Sequence, residues 1–254
     1  MTCLEVIALE GLPLIKAGDD LVELIASALT RSGAVPRAQD VLVVAQKIVS
    51  KAEGRMIDLT TVEPSAKALT LAAEVDKDPR LVELILSESV RVVRARRNVL
   101  IVEHKLGFIM ANAGVDQSNV GPADGAHRAL LLPENPDRSA AALRDGLTAL
   151  TGTDLAVVIN DSFGRAWRQG TAGVAIGVAG LPALIDLRGR PDLFGRKLEA
   201  SIIGFADEIA AAASLVMGQA DEASPVVLIR GLQWSAPKSP GASILRSPNE
   251  DLFR

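Results

Sequence analysis

The sequence predicts an α+β fold, a mixed α/β architecture of mixed sheets with flanking helices rather than a Rossmann or phosphate-loop fold. Three observations predict it. Short apolar runs and helical stretches intermingle without the strict strand–helix alternation that builds a doubly wound sheet. Neither Gly-x-Gly-x-x-Gly opening a helix after a strand nor Gly-x-x-x-x-Gly-Lys-Ser/Thr occurs anywhere in the chain. Finally, 254 residues of which 48% are apolar can bury a substantial core. Residues 1–254 therefore read as a single unit, with room for two intertwined lobes, and no repeat, linker or low-complexity tail interrupts it.

Taken in order, residues 6–9 read as a short strand, followed by the turn Gly11-Leu12-Pro13 and a helix from about Asp19, a good N-cap, to Thr30. The continuous apolar run Val41-Leu42-Val43-Val44 predicts a strand buried on both faces. It leads directly into Gln46-Lys47-Ile48-Val49-Ser50-Lys51. Helices are expected over 65–73 and over 79–86, the second capped by Asp78 ahead of Pro79. Strands over 90–93 and 99–102 pair across the basic turn Arg94-Ala95-Arg96-Arg97-Asn98. Residues 121–136, rich in Gly, Pro and Asp, read as a long loop. A helix over 139–150, a buried strand over 155–159 and a glycine-punctuated extended segment over 170–179 follow. The run 198–217 has continuous apolar helical character, and 226–229 is the last expected strand.

Composition narrows the functions. Net charge is −4 with acidic and basic residues interspersed, which gives no reason to expect a nucleic-acid partner. Aromatic content of 3% without tyrosine argues against a base-stacking platform. With one cysteine, Cys3, no internal disulfide can form, and with two histidines, His104 and His127, a histidine-rich zinc centre is implausible. Cys3 reads as a small buried hydrophobe on the first strand, the histidines as surface or hydrogen-bonding groups, and Trp167 and Trp234 as packing residues. The amino-terminal residues lack a basic region followed by an apolar stretch, and no run approaches a membrane span, so no membrane partner and a cytoplasmic location are expected.

The chemistry is expected in two acidic segments that each follow an apolar run, Asn112-Ala113-Gly114-Val115-Asp116-Gln117-Ser118-Asn119 and Asn160-Asp161-Ser162-Phe163-Gly164-Arg165. Taken singly, each aspartate suits turn or capping duty. Together, with Asn119 and Ser162 as extra oxygen ligands, they suit a hard divalent cation, which takes carboxylate, hydroxyl and amide oxygens. Lys47 and Lys51, emerging after a buried strand, supply compact positive charge for phosphate, although a solvated amphipathic turn would look the same. Arg165, Arg168, Arg188, Arg190 and Arg196 lie in a glycine-rich stretch where forked guanidinium groups can grip carboxylates or phosphates. Gly218-Gln219-Ala220-Asp221-Glu222 follows the long apolar run and alone reads as a helix C-cap.

These segments resemble the coenzyme F-420-0:L-glutamate ligase family. Val43 to Arg55, Ala111 to Asn119, Asn160 to Arg165 and Ile185 to Asp192 match it in order and spacing over essentially the whole chain. The chain departs from the family pattern at Gln46, where Ser or Thr is common, and at Leu106-Gly107, where a His-Gly pair is common. The resemblance implies a stand-alone ligase without a flavin-binding extension. It implies an enzyme dependent on GTP and two divalent ions, Mg²⁺ or Mn²⁺, with K⁺ a further option, that adds L-glutamate to a phospholactyl deazaflavin, and a homodimer. By position, Leu12, Pro13, Leu14, Ile15, Gln46, Lys51 and Asn119 would contact GTP. Met217, Gly218, Gln219, Ala220, Asp221, Glu222, Ala223 and Ser224 would line the same nucleotide. Asp116, Asp161, Ser162 and Gln219 would hold the metals, and Arg165 and Arg168 would bind substrate. No residue is assigned as nucleophile or general base. Two other readings stand beside this one: a deazaflavin- or nucleotide-binding module without turnover, and a ligase for another phosphorylated carboxylic acid.

Overall fold

The computed structural model describes residues 3–120, 127–247 and 249–251. Its centre is a five-stranded sheet whose buried strands are runs of Val, Leu, Ile and Ala. These are β1 (Glu5–Ala8), β2 (Val41–Ala45), β8 (Ala156–Arg165), β9 (Arg168–Ala179) and β12 (Val226–Arg230), in the order β1-β12-β2-β8-β9. Only β2 and β8 run parallel within this sheet, with Ala45 in register with Asn160. Such a pair needs a crossover, and the chain between them builds a second body of structure.

Strand alternation gives the sheet two cores. Leu42, Val44, Val157, Ile159, Val226 and Leu228 face one side, under helices α1 (Leu21–Arg31), α2 (Gln46–Ala52) and α5 (Pro136–Thr151). Val41, Val43, Ala156, Val158, Val227 and Ile229 face the other, under α6 (Phe205–Met217). Continuous apolar runs are what two buried faces require. At the margin, Arg230 clamps buried Asp40, its Nη2 2.7 Å from Oδ2 and its Nε donating to Oδ1 at 3.0 Å.

The crossover carries β3 (Met56–Asp58), α3 (Ala66–Val75), α4 (Pro79–Ser87), β4 (Ser89–Arg96), β5 (Val99–His104), β6 (Ile109–Ala111) and β7 (Arg128–Leu130). The order β4-β5-β6 forms one small sheet and β3-β7 another, around a third core that includes Leu59, Val75, Ile85, Leu100, Val102 and Ala129. The pair β10 (Ile185–Asp186) and β11 (Ile202–Ile203) completes the strands. Among the described residues no helix is long and apolar enough to cross a membrane.

Several expectations shift. Asp20, not Asp19, caps α1, accepting from Val22 N and Glu23 N, while Asp19 accepts from Lys16 N. Within the expected loop over 121–136, residues 121–126 lie outside the described residues, and Arg128–Leu130 forms β7 because Met56–Asp58 offers it a partner edge. The α5 helix starts at Pro136, with Asn135 as cap, three residues before the expected start. The apolar run 198–217 is not one helix. Ile202–Ile203 pairs as β11, and α6 begins at Phe205 after Gly204. Cys3 is exposed ahead of β1, and Trp167 is 90% exposed at the β8–β9 turn. Trp234 packs on Phe205 as expected.

Candidate active site

The most consequential difference concerns β8. Expected to stop at Ile159, it continues to Arg165, because β9 pairs with it along its whole length, Asp161 facing Val174 and Ser162 facing Gly173. Asp161 is therefore held on a strand rather than in a turn. Side chains alternate across the sheet, so Asn160 and Ser162 project toward α6, and Asp161 projects to the opposite face along with Phe163. A β-bulge at Ile176, between the pairs Ile159/Gly177 and Asn160/Ala175, bends the hairpin where the polar residues begin.

Beside Asp161 stands the end of β2. Its parallel register with β8 delivers Gln46, the first residue of α2, next to the aspartate, whose Oδ1 accepts from Ser162 N at 2.8 Å. Asp116 arrives from a 3₁₀ turn, Asn112–Gly114, in which Asn112, Ala113 and Gly114 all have positive φ. Asp116 then pairs through its backbone with Leu130, at 3.0 and 2.8 Å, and this fixes the loop. Its Oδ2 lies 2.7 Å from Lys47 Nζ, and its Oδ1 accepts from Ser118 N at 2.7 Å and Ser118 Oγ at 2.8 Å. Lys51 Nζ donates to Asn119 O at 2.6 Å, and Asn119 Nδ2 donates to Ala220 O at 2.9 Å. Gln219 accepts from Ser162 Oγ at 2.8 Å. Residues from four distant segments thus form one connected cluster.

Charge is unevenly distributed in it. For Asp161, burial foremost and then the nearby Asp116 charge push the carboxyl up to about 6, against the opposing Ser162 N–H, Lys47 and Gln46. For Asp116, burial is the largest influence, yet donation from Lys47 and Ser118 outweighs it and holds the carboxyl below its usual range. Burial and then the neighbouring Lys47 lower Lys51.

The structure brings together Gln46, Lys51, Asp116, Asn119, Asp161, Ser162, Gln219 and Ala220. Gly218, with φ of 70°, turns the chain after α6, and a Cβ there would lie 2.0 Å from Glu222 Cδ. Glu222 in turn accepts from Ala220 N at 2.8 Å. Met217 Sδ lies 3.4 Å from Asn160 Nδ2, so the start of the 217–224 segment is anchored to the same strand. Residues 12–15 precede α1, outside this hydrogen-bonded cluster. Ile15 is core, Leu12 packs on the core and Leu14 is exposed. Arg165 and Arg168 are exposed, opposite each other at the hairpin tip and three residues or more beyond Ser162.

Lys47 was expected to meet phosphate, and its ion pair with Asp116 across 69 positions had no local sequence signal. Ser50 was also missed as a site residue. It is buried, and its hydroxyl donates to Gln46 Oε1 at 2.9 Å. Its i+4 spacing from Gln46 was the available clue.

Among the described residues no three His, Cys, Asp or Glu side chains gather for a metal. A cation here would rely on the two aspartates plus neutral oxygens, a donor set that suits Mg²⁺ with water and phosphate completing its shell. The fit is electrostatic as well. Two neighbouring carboxylates, one driven toward protonation first by burial and then by the other's charge, are what a divalent ion relieves.

A family model described as F420-0:Gamma-glutamyl ligase matches residues 11–231. The coenzyme F420:L-glutamate ligase of Methanothermobacter thermautotrophicus is 47% identical to this chain over 253 residues, 99% of each. Its namesake from Methanopyrus kandleri is 46% identical over 259 residues, again 99% of each, and that of Archaeoglobus fulgidus is 43% identical, covering 98% of this chain and 96% of its own. With a match of this extent, the chain belongs to the F420-0:gamma-glutamyl ligase family.

Proposed function

We propose that this chain is a coenzyme F420:L-glutamate ligase, forming an amide between the acceptor coenzyme's carboxylate and the amine of L-glutamate at the expense of GTP. The observation that carries the reading is the cluster itself. In a chain of this family, two lysines, two aspartates and the amide and hydroxyl of Gln219 and Ser162 meet at the carboxyl end of β2, where its parallel pairing with β8 stops. Crevices outside such strand ends are where open sheets hold ligands.

A carboxylate resists amide formation because oxide is a poor leaving group. The acceptor carboxylate oxygen attacks the γ-phosphorus of GTP, and GDP departs with the bond it loses. The glutamate amine then attacks the acyl carbon of the acyl phosphate, phosphate leaves with the former carboxylate oxygen, and the amine proton passes to solvent. Lys47 and Lys51 place fixed positive charge beside the phosphates, and Asn119 and residues 217–224 shape the nucleotide's berth. Asp116, Asp161, Ser162 and Gln219 would hold divalent ions, which when bound neutralise charge on the triphosphate. Arg165 and Arg168, on the hairpin tip, are placed to meet substrate carboxylates or phosphate. Catalysis is positioning plus electrostatics, without a covalent nucleophile.

The test is mass spectrometry of the product after incubation with the phospholactyl deazaflavin acceptor, L-glutamate, GTP and Mg²⁺ or Mn²⁺. A gain of one glutamyl residue, with GDP release dependent on acceptor, glutamate and metal together, is the expected result, and further increments would count added γ-linked glutamates. Nucleotide binding without any mass gain would overturn the reading.

A further inference from the structure

The tip of the β8–β9 hairpin carries an arrangement that the fold itself does not use. Arg165 pairs directly with Arg168 across a two-residue turn, Ala166-Trp167, and residues 164–171 are all exposed. Like charges directly opposite each other on paired strands repel. Among the described residues neither guanidinium has a carboxylate within ion-pairing distance to relieve that repulsion. Trp167, between them, has φ of 65°, a left-handed position that glycine or asparagine fills readily and that a bulky side chain adopts only with strain. It is 90% exposed, so no packing inside the chain offsets the strain. Backbone strain of this kind gathers where a chain grips a ligand.

The tip also shares a face with the proposed site. From Asp161 to Arg165 β8 is regular, because the extra residues near the turn, Gln169 and Gly170, lie on β9. Alternation then puts Asp161, Phe163 and Arg165 on one face, and Phe163 fixes which one. Its ring meets Phe108 edge-on, centres 5.8 Å apart, in the core under α1, α2 and α5. Four residues of strand set Arg165 roughly 13 Å from Asp161 along that face. We infer that Arg165, Trp167 and Arg168 form the berth for the acceptor's phosphate and planar ring, the acceptor lying along β8 with its carboxylate toward Asp161. Two adjacent guanidinium forks suit a phosphate, and an exposed indole offers a flat face to a ring. Glutamate has no ring to set against Trp167. The triphosphate of GTP is matched by Lys47 and Lys51, which stand with Asp116 and Asn119 at the other end of the polar run.

The inference rests on the proposed acceptor, and the experiment keeps the two apart. Binding of the phospholactyl deazaflavin acceptor to the full chain, with Mn²⁺ and a non-hydrolysable GTP analogue present, is measured by calorimetry for wild type, Trp167→Asn, Trp167→Phe, Arg165→Gln and Arg168→Gln. Melting temperature, sedimentation and affinity for the GTP analogue are recorded alongside. Asparagine tolerates the left-handed turn, so Trp167→Asn removes the ring without straining the backbone. The expected result is about tenfold or greater weakening of acceptor binding in Trp167→Asn and in each arginine variant, with binding kept in Trp167→Phe. Melting, sedimentation and affinity for the GTP analogue stay as in wild type. Unchanged acceptor binding in Trp167→Asn or in both arginine variants would overturn the berth, while ligation by wild type would stand. Acceptor binding that falls in the variants, in a wild type that adds no glutamate, would keep the berth and remove the ligase reading. A second copy of the chain as the tip's occupant would show as slower sedimentation of Trp167→Asn than of wild type, and that would also overturn the berth. No acceptor binding in wild type would overturn both.

Discussion

At the residue scale, the two aspartates are not equivalent. Asp116 is ionised and occupied by a lysine, whereas Asp161 sits on a rigid strand with its carboxyl raised to about 6. Asp161→Asn keeps the shape and the bond to the backbone but removes the charge, so metal-dependent turnover is expected to fall on the order of 100-fold or more, with an unchanged melting temperature. Full turnover in that variant would remove Asp161 from the metal site. His104 supports a second prediction, away from the site. It is 3% exposed, its Nδ1 accepts from Leu106 N at 2.9 Å, and the proton of the neutral ring therefore sits on Nε2, 3.9 Å from Glu88 Oε2. Burial, then Lys105 and Arg55, lower its pKa to about 4 from 6.5. Between those values the unfolded chain binds a proton that the folded chain refuses. Stability is thus fully present above pH 6.5 and is lost as pH falls toward 4, by about 3 kcal/mol. Denaturant titrations from pH 4 to 7 should show this slope in wild type and a flatter one in His104→Gln.

At the element scale, the β8–β9 hairpin packs directly on α6 through glycine. A Cβ on Gly173 would meet Ser214 Oγ at 2.2 Å and the Ala210 carbonyl oxygen at 2.4 Å, whereas Gly164 on the paired strand has open space. Gly173→Ala is expected to cost about 2 kcal/mol or more in a chemical denaturation experiment, and Gly164→Ala close to nothing. Equal effects would show that the helix yields. The sequence was informative about this element only in part. Leu155 to Ile159 announced themselves as buried strand, but the polar continuation Asn160 to Arg165 carries no β signature of its own and becomes strand because β9 supplies its hydrogen bonds. Likewise Ile202–Ile203 looked helical next to α6 until Ile185–Asp186 offered a partner. The cap at Asp78, by contrast, was legible, since it works through a bond to its own helix, whereas Ser65, counted within its helix, is that helix's cap.

At the scale of the whole molecule, the cluster joins segments from the crossover and from both faces of the sheet. Asp116 and Asn119 come from the crossover body, Lys47 and Lys51 from α2 on one face of the sheet, and Gln219 from the end of α6 on the other. The residue types were visible in the sequence as separate segments. Their convergence was not, because only the parallel register of β2 with β8 and the bridge of Asp116 to Leu130 bring them together. Ligands seated there would tie these parts to one another. GTP with Mn²⁺ is therefore expected to raise the melting temperature more than the sum of either alone, with about 2.7 kcal/mol of added stability when free ligand reaches a hundredfold excess over its Kd. Strictly additive shifts would indicate that nucleotide and metal bind apart.

The bulge at Ile176 bears on how such a chain tolerates change in length. Ile176 and Gly177 both face the side that carries Ile159, and the residues before and after them keep their own faces. Dropping one residue at this point would therefore heal the pairing without inverting either half of β9. What would change is the bend that aims the polar end of the hairpin. Elsewhere in the hairpin a single-residue deletion would exchange the two faces and drive Val174 or its neighbours into the contact that only glycine fits. One insertion site thus separates the tilt of the site from the packing of the core, and it offers protein engineers a way to re-aim Asp161 and Ser162 while leaving the hydrophobic interior as it stands.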